Sequence, residues 1–389
     1  MKIYDYIVTD NRKRCVMAES VIAYVKNYGD YTFAEKPLNN VDSLVLCQLS
    51  YLKFDGLVPS LKQRLRAVSL RRVASDKAVC AIFADKRYEE PNRALFNAVR
   101  KSKRYRELKM NYYVNRIDTV QETQFSAITF FLEDNLIFIA YRGTDETLIG
   151  WKEDFNMAFQ SPVPGQRYAV EYLKEVASRF SGNFYVGGHS KGGNFAVYAA
   201  MFCGEGIQDR ILKIYSMDGP GFPSELLKKE EYAAIMDRLI KILPHSSLVG
   251  MLFETFAGSR VVESKRFGLF QHDPYTWLTE GDDFVYVKGI YGCRQFANDT
   301  LNAWIRSLDR DKRRFLIDTL YRIISASKAK DLPELAADWK KSTAGMLAEI
   351  REMDKESRRQ FLVLIKRYFE TAGKKLRFSD PVHKRDKEA

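Results

Sequence analysis

The sequence lacks several features by which secreted, membrane-spanning and zinc-binding proteins are recognised. Charged residues are scattered through Met1 to Cys15, so we expect neither a signal peptide nor a membrane span there. The five cysteines are widely spread and include no C-x-x-C pair, which argues against a disulfide framework and a zinc site. We therefore expect a cytoplasmic protein with reduced thiols.

Glycine patterns that bind nucleotides are also missing, although one glycine-rich turn is present. Residues Asn183 to Phe202 predict a strand, a tight turn and a buried helix, with the sequence GHSKG between strand and helix. This sequence matches G-x-S-x-G, in which Ser190 lies on a strained turn while Gly188 and Gly192 let strand and helix pass closely. An ordinary strand-to-helix turn or a phosphate cradle is the alternative, but neither a Walker pattern nor G-x-G-x-x-G is found.

Histidine is scarce, and this narrows the search for a base. A serine hydroxyl is a poor nucleophile unless a base takes its proton and a third group orients that base. Of the four histidines, His189 adjoins the serine and is expected to point away from it, and His383 lies in the charged tail. His272 is preferred over His245, because it follows nearly every predicted strand and so allows the order serine, acid, histidine.

Asp218 is the preferred acid. It stands at the carboxyl end of the strand predicted after the serine turn, where catalytic loops of open α/β sheets gather. Glu263 and Asp273 are rivals for this role. Alternatively, Asp218 only caps the glycine- and proline-containing turn that follows it.

Two backbone donors are needed to stabilise an oxyanion. The N–H of Lys191, directly after the serine, is one candidate. The segment Arg142-Gly143-Thr144 follows an earlier predicted strand, and Thr144 is the candidate for the second donor. The end of a plain hairpin is the other explanation for this segment. Such a site requires no metal ion and no organic cofactor.

Strand and helix patterns alternate around the serine turn, which predicts a mainly parallel sheet covered on both faces. A hairpin is predicted around Asp134-Asn135, and helices are predicted over 148–159, 166–180 and 224–243. The predicted strands are 124–133, 136–141, 184–186, 211–217, 260–264 and 283–288.

Changes of composition predict three parts of the chain. Residues 1–110 form an N-terminal helical portion, in which the basic segment 61–110 is a candidate lid lying on the surface. Residues 111–293 form the α/β core. Residues 294–389 form a helical extension with apolar residues at helical spacing, and the last dozen residues are expected to be disordered.

The net charge of +12 is unevenly distributed. Residues 60–110 carry 15 basic against 5 acidic side chains, and residues 294–389 carry 23 against 15. These basic zones indicate either solvated helix faces, the commoner case, or peripheral contact with an anionic membrane; nucleic acid is not the favoured partner.

Two motifs together resemble a known family. Arg142-Gly143-Thr144 at a strand end and GHSKGG at the serine turn resemble the class 3 (fungal-type) lipases, whose patterns are F-R-G-T and G-H-S-L-G-G. The chain is more similar still to a bacterial lipase-like family described as Mbeg-like, over about residues 40 to 290. This resemblance is carried by VDSLVLCQLSYL, QFSAITF, RGTDETLIGWKEDFNMAF, GGHSKGGNFAVYAA, YSMDGPGF and QHDPYTW.

The resemblance implies an α/β-hydrolase fold with Ser190 as nucleophile, His272 as base, and Thr144 with Lys191 as oxyanion donors. The family pattern is not followed everywhere. Class 3 lipases place the acid in a later D-x-V segment, whereas residues 243–249 hold no carboxylate here. The position of Asp218 instead resembles that of the acid in pancreatic-type lipases.

Charged residues beside the motifs have two explanations each. Lys191 replaces the usual apolar residue after the serine, so it favours an anionic substrate or forms an ion pair with Asp154 or Glu153. Asp154 and Arg142 are expected to support the oxyanion loop by hydrogen bonding. Tyr275 and Trp277 line an acyl pocket or, the commoner case, fill the core.

The sequence thus predicts an enzyme, a serine hydrolase that cleaves carboxylic esters through an acyl-enzyme. Its substrate is expected to be a small ester or a lipid such as a lysophospholipid. The alternative is a catalytically silent relative that uses the same fold to bind a lipid or a protein.

Overall fold

The computed structural model describes residues 19–63, 65–84, 88–118, 120–144, 153, 156–157, 160–247, 249–253, 258–266, 268–287, 292–326 and 339–379. The strands in these residues are β1 (Glu19–Ser20), β2 (Val68–Ser69), β3 (Lys109–Asp118), β4 (Thr123–Glu133), β5 (Leu136–Tyr141), β6 (Asn183–His189), β7 (Ile211–Met217), β8 (Leu239–Pro244), β9 (Arg260–Val262), β10 (Leu278–Glu280) and β11 (Asp283–Phe284).

The helices flank these strands on both sides and continue beyond the last of them. They are α1 (Val21–Tyr28), α2 (Asn40–Leu49), α3 (Leu70–Ala74), α4 (Glu89–Val99), α5 (Lys103–Arg106), α6 (Pro164–Arg179), α7 (Lys191–Phe202), α8 (Glu205–Gln208), α9 (Ser224–Leu227), α10 (Glu230–Ala233), α11 (Gly292–Ser307), α12 (Arg310–Ala326), α13 (Trp339–Glu352) and α14 (Lys355–Ser379). Short 3₁₀ helices cover Lys77–Phe83, Met236–Arg238, Gly268–His272 and Pro274–Thr276.

Eight strands form one sheet in the order in which they occur along the chain, from β2 to β9. Neighbours from β2 to β5 run antiparallel, and neighbours from β5 to β9 run parallel. The hairpin predicted around Asp134-Asn135 is confirmed as β4 and β5. A second, small sheet has the order β1-β10-β11. The predicted α/β fold with a mainly parallel central sheet is thereby confirmed.

The order of the parallel strands explains why one face of the sheet is covered by α6 and α7. Crossovers between parallel strands are almost always right-handed, so consecutive neighbours place their connecting helices on the same face. Apolar residues of both helices, such as Leu173 and Phe195, therefore share a core with Ile139, Val186 and Ile214 of the strands.

The other face of the sheet is covered by the N-terminal segment. Side chains alternate along a strand, so Phe138, Ala140 and Tyr215 point to this opposite face. They share a core with α1, α2 and α4, and Leu46 of α2 is fully buried in it. Strand β3 runs across position 110, where the sequence predicts the end of the N-terminal portion.

The helix predicted over Ser224 to Leu243 is wrong in its second half. Only α9, α10 and a 3₁₀ turn occupy its beginning, and Leu239–Pro244 is strand β8. A strand buried on both faces reads as a continuous apolar run, so periodicity does not distinguish it from a buried helix. The predicted strand at 283–288 is confirmed only for Asp283–Phe284.

The basic segment 61–110 is less superficial than its sequence predicts. Helices α3, α4 and α5 bury Leu70, Leu95, Val99 and Tyr105 in the core that also holds the sheet residues. Most of the arginines and lysines that the structure describes in this segment are exposed. Its role as a lid stays a prediction.

Helices α11 to α14 form a separate apolar cluster at the end of the chain. Trp304, Leu308, Leu316, Phe361 and Leu364 are buried in it. The helical character predicted for the C-terminal extension is confirmed for its described residues; 327–338 and the charged tail from 380 lie outside them.

Candidate active site

Ser190 occupies the turn between β6 and α7 in a backbone conformation that L-residues rarely adopt. Its φ is +58° and its ψ is −132°. A Cβ atom added to Gly188 would lie 2.2 Å from the carbonyl carbon of Gly192, and one added to Gly192 would lie 2.1 Å from the oxygen of Tyr141. Both positions therefore require glycine, as the G-x-S-x-G pattern predicts.

Four consecutive parallel strands end at the same edge of the sheet, and each is followed by a part of the site. The Arg142-Gly143-Thr144 segment follows β5, Ser190 follows β6, Asp218 follows β7, and Ser247 lies shortly after β8. This edge is where open α/β sheets place their functional loops.

His272 contacts both the serine and the aspartate. Its Nε2 lies 2.9 Å from Ser190 Oγ, and its Nδ1 lies 2.7 Å from Asp218 Oδ2. Asp218 is fully buried, whereas the His272 side chain is 11% exposed. The structure thus brings together the serine, histidine and aspartate that the sequence selected.

Asp218 has a second, buried partner that sequence reasoning missed. Ser247 Oγ donates to Asp218 Oδ1 at 2.5 Å and accepts from the N–H of Gly250 at 2.9 Å. Ser247 belongs to the segment in which class 3 lipases are expected to carry the acid. A hydroxyl here orients a carboxylate that comes from the neighbouring strand.

The two rival acids make other contacts. Asp273 Oδ1 accepts from the N–H of Tyr275 at 3.0 Å and so caps a 3₁₀ helix. Glu263 is exposed on the segment after β9. Of the three candidate acids, Asp218 is the one whose carboxylate is hydrogen-bonded to the imidazole of His272.

The rival base His245 is held by Gln271. Its Nε2 lies 2.7 Å from Gln271 Nε2, and Gln271 Oε1 accepts from the N–H of Ser246 at 2.7 Å. Burial lowers the pKa of His245, against a weaker opposing effect of Glu263. His245 thus helps to fix Gln271, the residue that precedes His272.

His189 does not simply point away from the site, as its position beside the serine suggested. Its Nε2 lies 2.9 Å from the backbone oxygen of His272, and its Nδ1 lies 3.0 Å from the hydroxyl of Tyr51. Trp277 is fully buried and donates through its Nε1 to the oxygen of Gln271 at 2.8 Å. Trp277 therefore belongs to the core that supports the His272 segment.

The Arg142-Gly143-Thr144 segment lies directly against the serine turn. A Cβ atom on Gly143 would be 2.6 Å from the oxygen of His189 and 3.1 Å from Ser190 Cβ. Thr144 is buried, and Arg142 is buried with its Nη2 3.0 Å from Asn115 Oδ1. The segment and the N-terminus of α7 therefore both lie beside Ser190.

Lys191 points away from solvent and is paired with Glu153. Their Nζ and Oε2 atoms are 2.9 Å apart, and both side chains are almost completely buried. Glu153 also accepts from the N–H groups of Gln124 and Gly165 and from the hydroxyl of Thr123. Of the two carboxylates predicted to pair with Lys191, Glu153 does so; Asp154 lies outside the described residues, as do most of 148–159.

None of the helices described is both long and apolar enough to cross a membrane. In the same part of the chain, no group of three histidine, cysteine or acidic side chains is placed to hold a metal ion.

A strained serine turn at the carboxyl end of β6, within a mainly parallel sheet that helices cover, is the arrangement of the α/β-hydrolase fold. A model of the Mbeg1-like family matches residues 99–322, which is more than half of the chain. The chain therefore belongs to the Mbeg1-like family, as its motifs predicted.

Solved structures include a similar lipase. The crystal structure of M37 lipase is similar to this chain at 14% sequence identity and a TM-score of 0.33, over 55% of this chain and 70% of that one. Comparison with curated proteins gives no significant match.

Proposed function

We propose that this protein is a serine hydrolase that cleaves carboxylic esters by a Ser190-His272-Asp218 triad. The observation that carries the proposal is the bridging position of His272, with Nε2 2.9 Å from Ser190 Oγ and Nδ1 2.7 Å from Asp218 Oδ2. The first is a hydrogen bond through which the serine proton can pass to His272, and the second is one through which a carboxylate orients the imidazole. The chain belongs to the Mbeg1-like family, and the resemblance of its motifs to those of class 3 lipases supports the same chemistry.

In the acylation step, Ser190 Oγ attacks the ester carbonyl while its proton passes to His272 Nε2. The negative charge that develops on the carbonyl oxygen is stabilised by the N–H groups of Lys191 and Thr144. Lys191 begins α7, so the N-terminal end of a helix, whose dipole favours negative charge, lies beside Ser190. Asp218 keeps the Nδ1 proton of His272 in place and stabilises the imidazolium.

The intermediate collapses when the bond to the leaving alcohol breaks and His272 returns its proton to that alcohol. An ester of Ser190 remains. Water then attacks this ester, with His272 again taking the proton, and the second collapse releases the carboxylic acid and restores the serine.

The surroundings of the serine support a neutral, apolar acyl group as the substrate rather than an anionic one. The ammonium of Lys191 is buried and paired with Glu153, so it is directed away from a bound ester. Phe270 lies two residues before His272 and is 66% exposed, so the segment that carries the base also presents apolar surface. A lipid or lysophospholipid ester fits this combination.

Steady-state turnover of p-nitrophenyl esters of increasing acyl length, alongside lysophospholipids, tests the proposal. The native chain should hydrolyse medium or long acyl esters, and the Ser190→Ala and His272→Ala variants should lose the activity while keeping their far-UV spectra. If the native protein and the Ser190→Ala variant turn over every ester equally slowly, the protein is a catalytically silent relative.

A further inference from the structure

A buried chain of contacts leads from the N-terminal segment to the backbone of the proposed base. Tyr51 follows α2, and its hydroxyl lies 3.0 Å from His189 Nδ1. The Nε2 of the same imidazole lies 2.9 Å from the backbone oxygen of His272. Tyr51 is 2% exposed and His189 is 1% exposed.

These partners set the tautomer of a neutral His189. The oxygen of His272 only accepts hydrogen bonds, so Nε2 of His189 must carry the proton. In the neutral imidazole Nδ1 is then an acceptor, and the tyrosine hydroxyl donates to it. Each polar atom in the chain of contacts is satisfied without a net charge.

A neutral His189 also suits the chemistry of its neighbour. The rings of His189 and His272 lie with their centroids 4.7 Å apart and their planes tilted by 31°. Since His272 becomes an imidazolium each time it accepts the serine proton, a charged His189 at this distance would oppose that step. Both partners of His189 are uncharged, so the tautomer with its proton on Nε2 satisfies them without adding a second charge.

The tyrosine hydroxyl contacts the oxyanion segment as well. It lies 2.2 Å from the position that a Cβ atom on Gly143 would occupy, and 3.4 Å from the backbone oxygen of His189. A single hydroxyl from the N-terminal segment therefore touches both the side of the site that holds the base and the side that faces the oxyanion.

We propose that Tyr51 and His189 are positioning residues, which hold the backbone of His272 so that its imidazole stays between Ser190 and Asp218. This inference rests on the proposed esterase function. It also makes the segment around α2 part of the catalytic unit, because the position of Tyr51 depends on the packing of α2 against the sheet.

The hydroxyl of Tyr51 can be removed with a closely matched control. Tyr51→Phe deletes the donor to His189, whereas Tyr172→Phe deletes an equally buried hydroxyl that bonds Thr129 Oγ1 and the oxygen of Tyr112, both at 2.9 Å. Tyr172 packs on the other face of the sheet, among the residues of α6. Both variants lose a buried hydrogen bond, but only the first affects the base.

His189 can be changed with and without its donor. In His189→Gln the amide nitrogen reaches about as far as Nε2 and can still donate to the oxygen of His272. In His189→Leu no donor remains. A purely structural role would make the two variants differ only in stability.

Ester kinetics and thermal unfolding of these four variants, together with fluorophosphonate labelling of the native chain, test the inference. Tyr51→Phe and His189→Leu should lower kcat about tenfold or more with KM within a factor of about three, as loss of an orienting partner does. His189→Gln should keep most of kcat, and Tyr172→Phe should lose only stability.

Two results would overturn the inference in different ways. If the native chain is active but Tyr51→Phe keeps its kcat, or loses no more than Tyr172→Phe, then Tyr51 is structural only. If the native chain neither labels nor turns over esters, the proposed function is wrong and the inference falls with it.

Discussion

Lys191 Nζ lies 2.9 Å from Glu153 Oε2, with both side chains at most 1% exposed. The lysine directly follows the candidate nucleophile, and the glutamate also binds the N–H groups of Gln124 and Gly165. This ion pair therefore ties the start of α7 to two other parts of the fold.

Breaking this pair from one side should strongly destabilise the protein. Glu153→Gln removes a negative charge beside a buried ammonium, and we expect it to lower the free energy of unfolding by about 3–5 kcal/mol. The surface pair Arg93–Glu89, 2.8 Å apart and partly exposed, serves as the control. Glu89→Gln should lower the free energy of unfolding by less than about 1 kcal/mol. Chemical denaturation measures both, and equal small losses would mean that the buried pair contributes little.

Asp218→Asn should lower kcat by about 10⁴-fold with little change in KM, because the amide no longer holds the correct tautomer of His272. Glu263→Gln and Asp273→Asn should keep nearly full activity, since neither carboxylate is bonded to the imidazole. Kinetics with one p-nitrophenyl ester compares the three variants. Full turnover by Asp218→Asn would remove this aspartate from the triad.

Because Lys241 is buried, we expect an unusual dependence of stability on pH. Burial lowers its pKa from 10.5 to about 8, and the nearby Asp218 only partly opposes this shift. Between pH 8 and 10.5 the unfolded chain binds more protons than the folded chain, so this lysine makes stability rise with pH in that window. Below about pH 8, the full free-energy cost of burying the charged Lys241 is present.

Lys241→Met should therefore be more stable than the native chain at pH 7, by up to about 3 kcal/mol, with the difference shrinking towards pH 10. The exposed Lys213 of β7 provides the control, since Lys213→Met should show no such trend. Urea denaturation at several pH values measures the effect. A Lys241→Met variant that is less stable at every pH would contradict it.

From the surface of helix α14 we predict that the protein contacts an anionic membrane. Its 25 residues carry eight basic and two acidic side chains, and Leu362 and Phe369, two turns apart, are 55% and 66% exposed. Apolar side chains among basic ones are typical of helices that lie at a lipid surface. Sedimentation with phosphatidylglycerol-containing vesicles should be strong at low salt and weak with phosphatidylcholine alone.

The double variant Leu362→Ser/Phe369→Ser should reduce this vesicle binding several-fold. Val120→Ser is the control, because Val120 is an exposed apolar residue outside α14. Binding that ignores lipid charge, or that survives the double change, would show that the basic zones are only solvated surface.

Much of the site could be predicted from the sequence because its parts are marked locally. Glycines on both sides of Ser190 are required by a close backbone approach, and this constraint is visible in a short motif. The scarcity of histidine left His272 as the best base, and it is the histidine bonded to Ser190 and Asp218.

The parts of the site that could not be predicted depend on contacts between distant parts of the chain. Nothing around Ser247 or Tyr51 indicates that these hydroxyls meet Asp218 and His189, 29 and 138 positions away. Strand β8 was predicted as helix because a buried parallel strand has no alternation, and β3 escaped prediction because Asn and Arg interrupt its apolar residues.

Reaction with a fluorophosphonate tests the central claim most directly, because this probe captures a serine only when a base and an oxyanion site activate it. Intact-mass measurement of the native chain should show one added phosphonyl group, mapped to Ser190 by peptide analysis, and Ser190→Ala and heat-denatured samples should show none. A native chain that stays unmodified beside a control serine hydrolase that reacts, or that is modified at another residue, would contradict the account.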